Sequence, residues 1–268
     1  MIKRIFLAAL AAGALAAVLI TAVQAFTTTP IILHAEKYER GGGSHSGHSG
    51  IERQRALVRV AVLALPPKLA PPPGRGEARS IHGHENKKKE AWAPGIGLER
   101  TLFTGLSNLL AGVGFGLLLV ACFAIHGKPV DGHRGVMWGL AGFAVFVLAP
   151  ALGLPPEVPG AKTAALTDRQ IWWGFSAATT ALGLGLMVFA RHWALKALGA
   201  VLIAVPHLVG APQPAELGGA VPPELAGHFA AASIVVNAIF WAVLGWLAGT
   251  FYQRLGRENP QSGQYQPG

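Results

Sequence analysis

The chain has 268 residues, of which 51% are hydrophobic and only 13% are charged, and its mean hydropathy is +0.42. Soluble globular domains carry about 25% charged residues, so this composition excludes an ordinary soluble protein and indicates an integral membrane protein. The net charge of +9 predicts no nucleic-acid partner, because the basic residues lie in residues 37–100 or flank apolar runs, as membrane topology requires.

Apolar runs that are long enough to cross a bilayer recur along the chain. A spanning helix needs about 20 consecutive apolar residues. Five runs without charged residues meet this length, and a sixth, shorter run carries Lys196 near its start and Pro206 near its end. The sixth run either spans with Lys196 at the interface or is re-entrant. The sequence predicts a single-domain, all-α membrane protein with five or six spans at residues 5–26, 102–125, 136–154, 171–190, 194–209 and 229–251.

The first apolar run has two interpretations. Lys3 and Arg4 precede it, and Val23, Gln24 and Ala25 could form a signal-peptide cleavage site. The run is long for a signal peptide, so we expect a retained span. In both cases the residues that follow it lie on the outer side of the membrane.

Lysine and arginine in short loops predict both termini on the cytoplasmic side. With six spans, the outer short loops carry only Lys162 and Arg169. The basic residues on the cytoplasmic side are Lys3, Arg4, Lys128, Arg134, Arg191, Lys196, Arg254 and Arg257. We therefore expect residues 34–100 to form a long, mostly irregular outer loop and residues 254–268 to form a short disordered tail.

The outer loop begins with HAEKYERGGGSHSGHSG at residues 34–50, which combines imidazole and carboxylate side chains. Such ligands suit divalent first-row metals, including cobalt. The glycine and serine spacing indicates a flexible chelator without a rigid cage, and it is equally typical of a polar linker. The candidate metal ligands are His34, Glu36, Glu39, His45 and His48, with His82, His84 and Glu85 further along the loop.

Polar side chains also lie within or beside the predicted spans, where they are costly and tend to face a bundle interior or a cavity. They are Gln24, Glu99, Arg100, Asn108, His207, His228 and Asn237. His207 follows Pro206, which leaves a helical carbonyl unpaired, so this region could build an ion site; otherwise His207 is an interfacial histidine. His207 and His228 are added to the candidate metal ligands.

Two further patterns concern the span boundaries and helix contacts. Pro-Pro-Glu occurs twice at a span boundary, so Glu157 and Glu224 either gather cations or act as helix-boundary residues. Glycines spaced four residues apart predict close helix packing. They are Gly112 and Gly116, Gly135 and Gly139, and Gly245 and Gly249.

The sequence lacks several common enzyme motifs. There is no GxSxG, Walker A or dinucleotide-binding sequence, so we expect no enzyme activity and no bound cofactor. The single cysteine, Cys122, excludes an internal disulfide and a CxxC site. Without an ATPase motif, any transport depends on a gradient or on another subunit.

Several separate blocks resemble the CbtA family of predicted cobalt transporter subunits. They are the amino end through HAEKYE, EAWAPGIGLERTLFTGLSNLLAGVGFGLLL (90–119), RGVMWGLAGFAVFVLAPALGLPPEVPG (134–160), ALGAVLIAVPHLVGAPQP (197–214) and VPPELAGHFAAASIVVNAIFWAVLGWLAG (221–249). The resemblance implies an inner-membrane protein of five or six spans, linked to cobalamin biosynthesis and paired with CbtB, a small single-span protein with a histidine-rich end. Between residues 51 and 89 the chain departs from the acidic, histidine-bearing loop of the family.

Two functional hypotheses follow. The first is a membrane subunit for cobalt(II) uptake, whose outer loop gathers the ion and whose polar groups pass it between helices. The alternative is a non-transporting accessory or metal-sensing scaffold subunit. A membrane enzyme or haem protein ranks below both, because only His207 and His228 lie near membrane depth.

Overall fold

The structure is a computed structural model that describes residues 2–39, 94–95, 97–216 and 218–257. Five helices in this part are long and apolar enough to cross a membrane, and α7, with 17 residues, is shorter. A π-helical turn, Ala144–Leu148, joins α4 to α5, so that Gly132–Ala151 runs as one span. The predicted all-α membrane fold is confirmed. The helices are α1 (Ile2–Phe26), α2 (28–39), α3 (Leu98–His126), α4 (Gly132–Phe143), α5 (Ala149–Ala151), α6 (Leu166–Phe189), α7 (Trp193–Val209) and α8 (Pro223–Arg257).

The start of α1 and the end of α8 lie together. Arg4 donates from Nε to the carbonyl oxygen of Tyr252 at 2.8 Å, and its guanidinium lies 3.7 Å from the centroid of the Tyr252 ring. We call this the terminal end of the bundle. At the other end, the loop end, the segments before α6 and before α8 meet through a bridge between Ala161 and Gly219.

Charge is distributed unequally between the two ends. All eight basic residues that the sequence assigns to the cytoplasmic side lie at the terminal end, where Asp131 is the one acidic residue among those described. At the loop end, three basic residues form ion pairs, namely Arg100 with Glu36, Lys162 with Glu216 and Arg169 with Glu157. By the positive-inside rule, this asymmetry predicts a cytoplasmic terminal end.

Glycine contacts bring helices together, as the four-residue spacing predicts. Helix α4 packs on α8 where Gly135 and Gly139 face Gly245 and Gly249 across the interface. The other predicted pair, Gly112 and Gly116, faces Gly13 and Ala9 at the α1–α3 interface. Backbone atoms approach closely in both interfaces because no side chain separates them.

The predicted outer loop is wrong at its beginning, since residues 34–39 are helical and belong to α2. Thr28, Ile31 and Ala35 are buried on one face of α2, at spacings of three and four residues that make a short helix amphipathic. Pro30 lies in its first turn, where proline is tolerated. Residues 40–93, which form most of the predicted loop, lie outside the described part of the chain.

The predicted tail is also wrong at its beginning. Helix α8 continues to Arg257, because Tyr252 is buried and Leu255 packs against the core cluster. The remainder of the predicted tail, residues 258–268, is not among the described residues.

Candidate functional site

A polar cavity of about 390 Å³ lies toward the loop end, between α1, α2, α3 and α8. The spanning helices α1, α3 and α8 are otherwise mostly apolar, so the polar side chains that they contribute here stand out from the rest of their surfaces. Polar side chains at membrane depth are stable only where they face one another or a water-filled space. The cavity wall includes Gln24, Thr28, Thr104, Ser107, Asn108 and Asn237.

Asn108 connects two walls of this cavity. Its Nδ2 donates to Thr21 Oγ1 at 2.9 Å and to Gln24 Oε1 at 2.7 Å, which joins α3 to α1. On the α8 wall, Asn237 Nδ2 donates to the Ser233 carbonyl oxygen at 2.9 Å. The amide oxygens and hydroxyl groups of the wall can accept hydrogen bonds or replace water around a cation.

An ion pair stands beside these groups. Arg100, which lines the cavity, donates from Nη1 to Glu36 Oε1 at 2.6 Å and thereby links α3 to α2. The side chains of Arg100 and Glu36 are 22% and 16% exposed. Since the pair is mostly withdrawn from water, Glu36 neutralises the positive charge that Arg100 brings to the cavity wall.

Removing Arg100 is expected to destabilise the protein. Arg100→Gln removes the guanidinium that faces the partly buried Glu36 carboxylate, which should cost about 1–3 kcal/mol after allowance for residual exposure. Lys162→Gln is the matched control, because the Lys162–Glu216 pair is 52% and 77% exposed and should contribute less than about 1 kcal/mol. Thermal unfolding in detergent measures both, and equal shifts in the melting temperature would contradict a structural role of the Arg100 pair.

The candidate ligands of the outer segment lie at the loop end on different faces of α2. His34 is exposed, with its ring centroid 5.4 Å from that of Tyr38, whereas Glu36 faces Arg100. Residues two positions apart on a helix do not share a face. Glu39 is exposed and lies beside Gly160.

Other candidate ligands are scattered or lie outside the described residues. His228 is exposed in the first turns of α8. Within the described ranges, no group of three or more His, Cys, Asp or Glu side chains could hold a metal ion. His45, His48, His82, His84 and Glu85 fall in the segment that is not described, so the predicted metal role of residues 34–50 stays a prediction.

His207 belongs to a second polar region, between α6 and α7. Its ring centroid lies 6.0 Å from that of Trp172, and both His207 Nε2 and Trp172 Nε1 are buried without a hydrogen-bond partner. The hydroxyl groups of Ser176 and Thr180 on α6 are also buried without a hydrogen-bond partner. Buried unpaired polar atoms cost about 1–3 kcal/mol each, so they mark a site that a ligand or water would stabilise. Ser176 and Thr180 were not among the predicted polar residues, although their spacing of four residues on an apolar helix was a usable signal.

The carboxylates at the span boundaries have structural partners or lie on the surface. Glu157 pairs with Arg169 at 2.6 Å, which ties the loop after α5 to α6. Glu99 accepts a hydrogen bond from the Gly95 amide at 2.9 Å at the start of α3. Glu224 is exposed in the first turn of α8, where an acidic residue interacts favourably with the helix dipole.

Residues 2–253 match the protein family described as "Probable cobalt transporter subunit (CbtA)". The chain belongs to the CbtA family. The match covers all four helices that line the polar cavity as well as the α6–α7 region, and it confirms the family resemblance of the sequence blocks. No curated protein and no solved structure matches the chain.

The polar cavity of this CbtA-family protein brings together predicted and unpredicted residues. Gln24, Asn108 and Asn237 were predicted to face a bundle interior, and the structure places all three around the same cavity, on α1, α3 and α8. Thr104 and Ser107 were missed, because single hydroxyl residues are common in membrane helices. His207 lies on a different pair of helices from those that form the cavity.

Proposed function

We propose that this CbtA-family protein is the membrane subunit of an uptake transporter for cobalt(II), and that the polar cavity receives the ion from the outer side. The observation that carries the proposal is the concentration of oxygen-bearing side chains in one cavity of an apolar bundle. At roughly 30 Å³ per water molecule, about 390 Å³ has room for an ion with its first hydration shell.

The chemistry of the wall favours transport over tight binding. Apart from Arg100, which is paired with Glu36, the polar groups of the cavity wall are amides and hydroxyls, and its described lining residues include no histidine, cysteine or carboxylate. Such neutral ligands hold a hydrated divalent cation weakly, whereas imidazole and thiolate hold first-row metals more strongly. A transported ion must be bound well enough to enter and loosely enough to leave.

The candidate metal ligands would act before the cavity. In this proposal His34, Glu39, His45 and His48 gather the ion at the outer surface, and Glu36 contributes only when it separates from Arg100. His207 and His228 are further candidate contacts at the loop end. The support is that His34 and Glu39 are both exposed on α2, the helix that forms one wall of the cavity.

The proposed setting is a bacterial-type inner membrane with both termini in the cytoplasm. The basic terminal end supports this orientation. A transporter subunit requires partner subunits, and we propose a small, single-span, histidine-rich protein of the CbtB type as the partner, together with a role in supplying cobalt for cobalamin biosynthesis.

A second function, that of a non-transporting accessory or metal-sensing subunit, has one observation in its favour. Beyond the cavity, toward the terminal end, the bundle is closed by the Gly13–Gly112 contact and by the buried ring of Trp241, which lies 4.7 Å from the Phe115 ring. A transporter must open this barrier, while a scaffold need not.

Uptake of cobalt-57 by cells that lack other cobalt transporters distinguishes the two functions. We expect uptake when the protein is produced together with its histidine-rich partner, and loss of uptake when this chain is omitted. Normal membrane abundance of the chain without uptake in the presence of the partner would contradict transport and favour the accessory role.

Replacing His34, His45 and His48 together with alanine is expected to raise the cobalt concentration needed for half-maximal uptake several-fold. The maximal rate should stay near that of the unchanged protein, because the cavity is not altered. The measurement is the initial rate of cobalt-57 uptake over a range of cobalt concentrations. An unchanged concentration dependence would remove the gathering role of these residues and leave the transport proposal standing.

A further inference from the structure

A second cavity, which we call the apolar groove, lies in the terminal half of the bundle between α3, α4 and α6. Its volume is about 630 Å³, and large apolar side chains line it, among them Leu118, Met137, Leu184 and Phe189. Helix α6 packs on α7 and, toward the loop end, on the π-helical turn and α5. In the terminal half of the bundle the backbone of α6 stands away from α3 and α4, and this separation forms the groove.

Aromatic rings restrict the groove at the terminal end. The Phe189 ring centroid on α6 lies 5.7 Å from that of His126 on α3 and 6.2 Å from that of Trp138 on α4. All three residues also line the groove. The groove is therefore a bounded apolar space that narrows where the helices reach the membrane surface.

The rim of the groove is basic. Arg134 is exposed, lines the groove, and donates from Nη1 to the Pro129 carbonyl oxygen at 2.9 Å. Lys128 directly precedes Pro129, and Arg191 follows Phe189 by two residues; both are exposed. Asp131, the acidic residue of this end, accepts from the Arg134 backbone amide at 2.8 Å and caps α4, so its carboxylate does not pair with these side chains in any described ion pair.

We propose that the apolar groove binds one anionic phospholipid, with an acyl chain between α3, α4 and α6 and the phosphate at Arg134. The apolar wall matches an acyl chain, and a guanidinium offers a phosphate several donors in a fixed geometry. Exposed basic side chains at the membrane surface select anionic over zwitterionic headgroups.

The shape of the wall favours a lipid over a partner helix as the occupant. Helices that associate in membranes present small residues, so that their backbones approach closely. Small residues such as Ala181 and Gly185 also line the groove, but the bulky Leu118, Met137, Leu184 and Phe189 make its surface irregular, and its rim is basic. The lipid site is independent of cobalt transport, because none of its residues lines the polar cavity.

Native mass spectrometry of the full chain tests the site by comparing retention of phosphatidylglycerol and phosphatidylcholine. We expect one retained phosphatidylglycerol per chain. Arg134→Gln should lower the preference for phosphatidylglycerol roughly fivefold, which corresponds to about 1 kcal/mol for one basic residue at a membrane surface. Arg254→Gln is the matched control, since Arg254 is exposed at the same end and does not line the groove.

A variant that fills the groove tests the position of the acyl chain. Gly185 lines the groove, and a Cβ at this position would meet no atom within 4 Å, so Gly185→Leu should leave the helices in place and remove the retained lipid. Retention unchanged by Gly185→Leu, or equal retention of both lipids by the unchanged protein, would overturn the proposal.

The unchanged protein provides a test that needs no variant. Cys122 is the single cysteine of the chain and lines the groove. In nanodiscs we expect slower alkylation of Cys122 by N-ethylmaleimide with phosphatidylglycerol present than with phosphatidylcholine alone. Equal alkylation rates would overturn lipid binding. A disulfide between the Cys122 residues of two chains would also overturn it, because it would show that a protein occupies the groove.

Discussion

Replacing Asn108 with leucine is expected to reduce cobalt uptake at least tenfold while leaving the protein in the membrane. The substitution removes the amide that bonds Thr21 and Gln24 and puts an apolar side chain of similar size into the wall of the polar cavity. Hydrogen bonds between membrane helices contribute about 0.6 kcal/mol each, so losing two should cost about 1 kcal/mol. That is too little to unfold a typical domain, whose stability is about 5–15 kcal/mol, and the loss of uptake would therefore report on the ion path.

Thr179→Val provides the control for this variant. Thr179 is also a buried polar residue of a spanning helix, but its hydroxyl donates to the Phe175 carbonyl oxygen at 2.9 Å on α6, outside the polar cavity. Initial rates of cobalt-57 uptake, normalised to protein in the membrane, compare the two. Uptake by Asn108→Leu within twofold of the unchanged protein would contradict entry through the cavity, and an equal loss in Thr179→Val would show a general effect of removing polar groups.

The sequence predicted which polar residues face the bundle interior better than it predicted their partners. Gln24, Asn108 and Asn237 could be recognised singly, because an amide at membrane depth must face other polar groups. The pairing of Arg100 with Glu36 could not be, since 64 positions separate the two residues and no local spacing relates them. His207 was recognised as a polar residue next to Pro206, but only the α6–α7 packing shows that it lies beside Trp172 and apart from the cavity.

The helices show the same division between local and long-range information. The spans follow from hydropathy and length; the structure begins each of them one to six residues earlier than predicted, while the third and fourth end slightly earlier, at Ala151 and Phe189. Helix α2 was missed because it has only twelve residues, and a few buried residues at helical spacing are a weaker sequence signal than the long apolar run of a span. Glycine spacing predicted which faces pack closely, but not that α4 pairs with α8 or that α1 pairs with α3.

The largest expected effect on stability is that of Gly139→Ala. A Cβ at Gly139 would meet the carbonyl oxygen of Trp241 well inside van der Waals contact and would lie 3.1 Å from the Gly245 Cα. Both obstacles are backbone atoms of α8, so no side-chain rotation relieves them, and α4 must move away. That movement separates Trp241 from Phe146, whose ring centroids are 5.7 Å apart in stacked rings. Overpacking costs about 1–3 kcal/mol, and we expect the upper part of this range, measured as a lower melting temperature in detergent and lower abundance in the membrane.

Gly114→Ala makes the same chemical change where the helix surface is open. A Cβ at Gly114 on α3 would meet no atom within 4 Å. Alanine favours the helical state over glycine by about 1 kcal/mol, so this variant should be as stable as the unchanged protein or slightly more stable. Because both variants add one methyl group to a glycine in a spanning helix, the difference between their melting temperatures isolates the α4–α8 contact. Equal melting temperatures would show that α4 and α8 tolerate a wider separation, and the close glycine packing would then not be what holds this part of the bundle together.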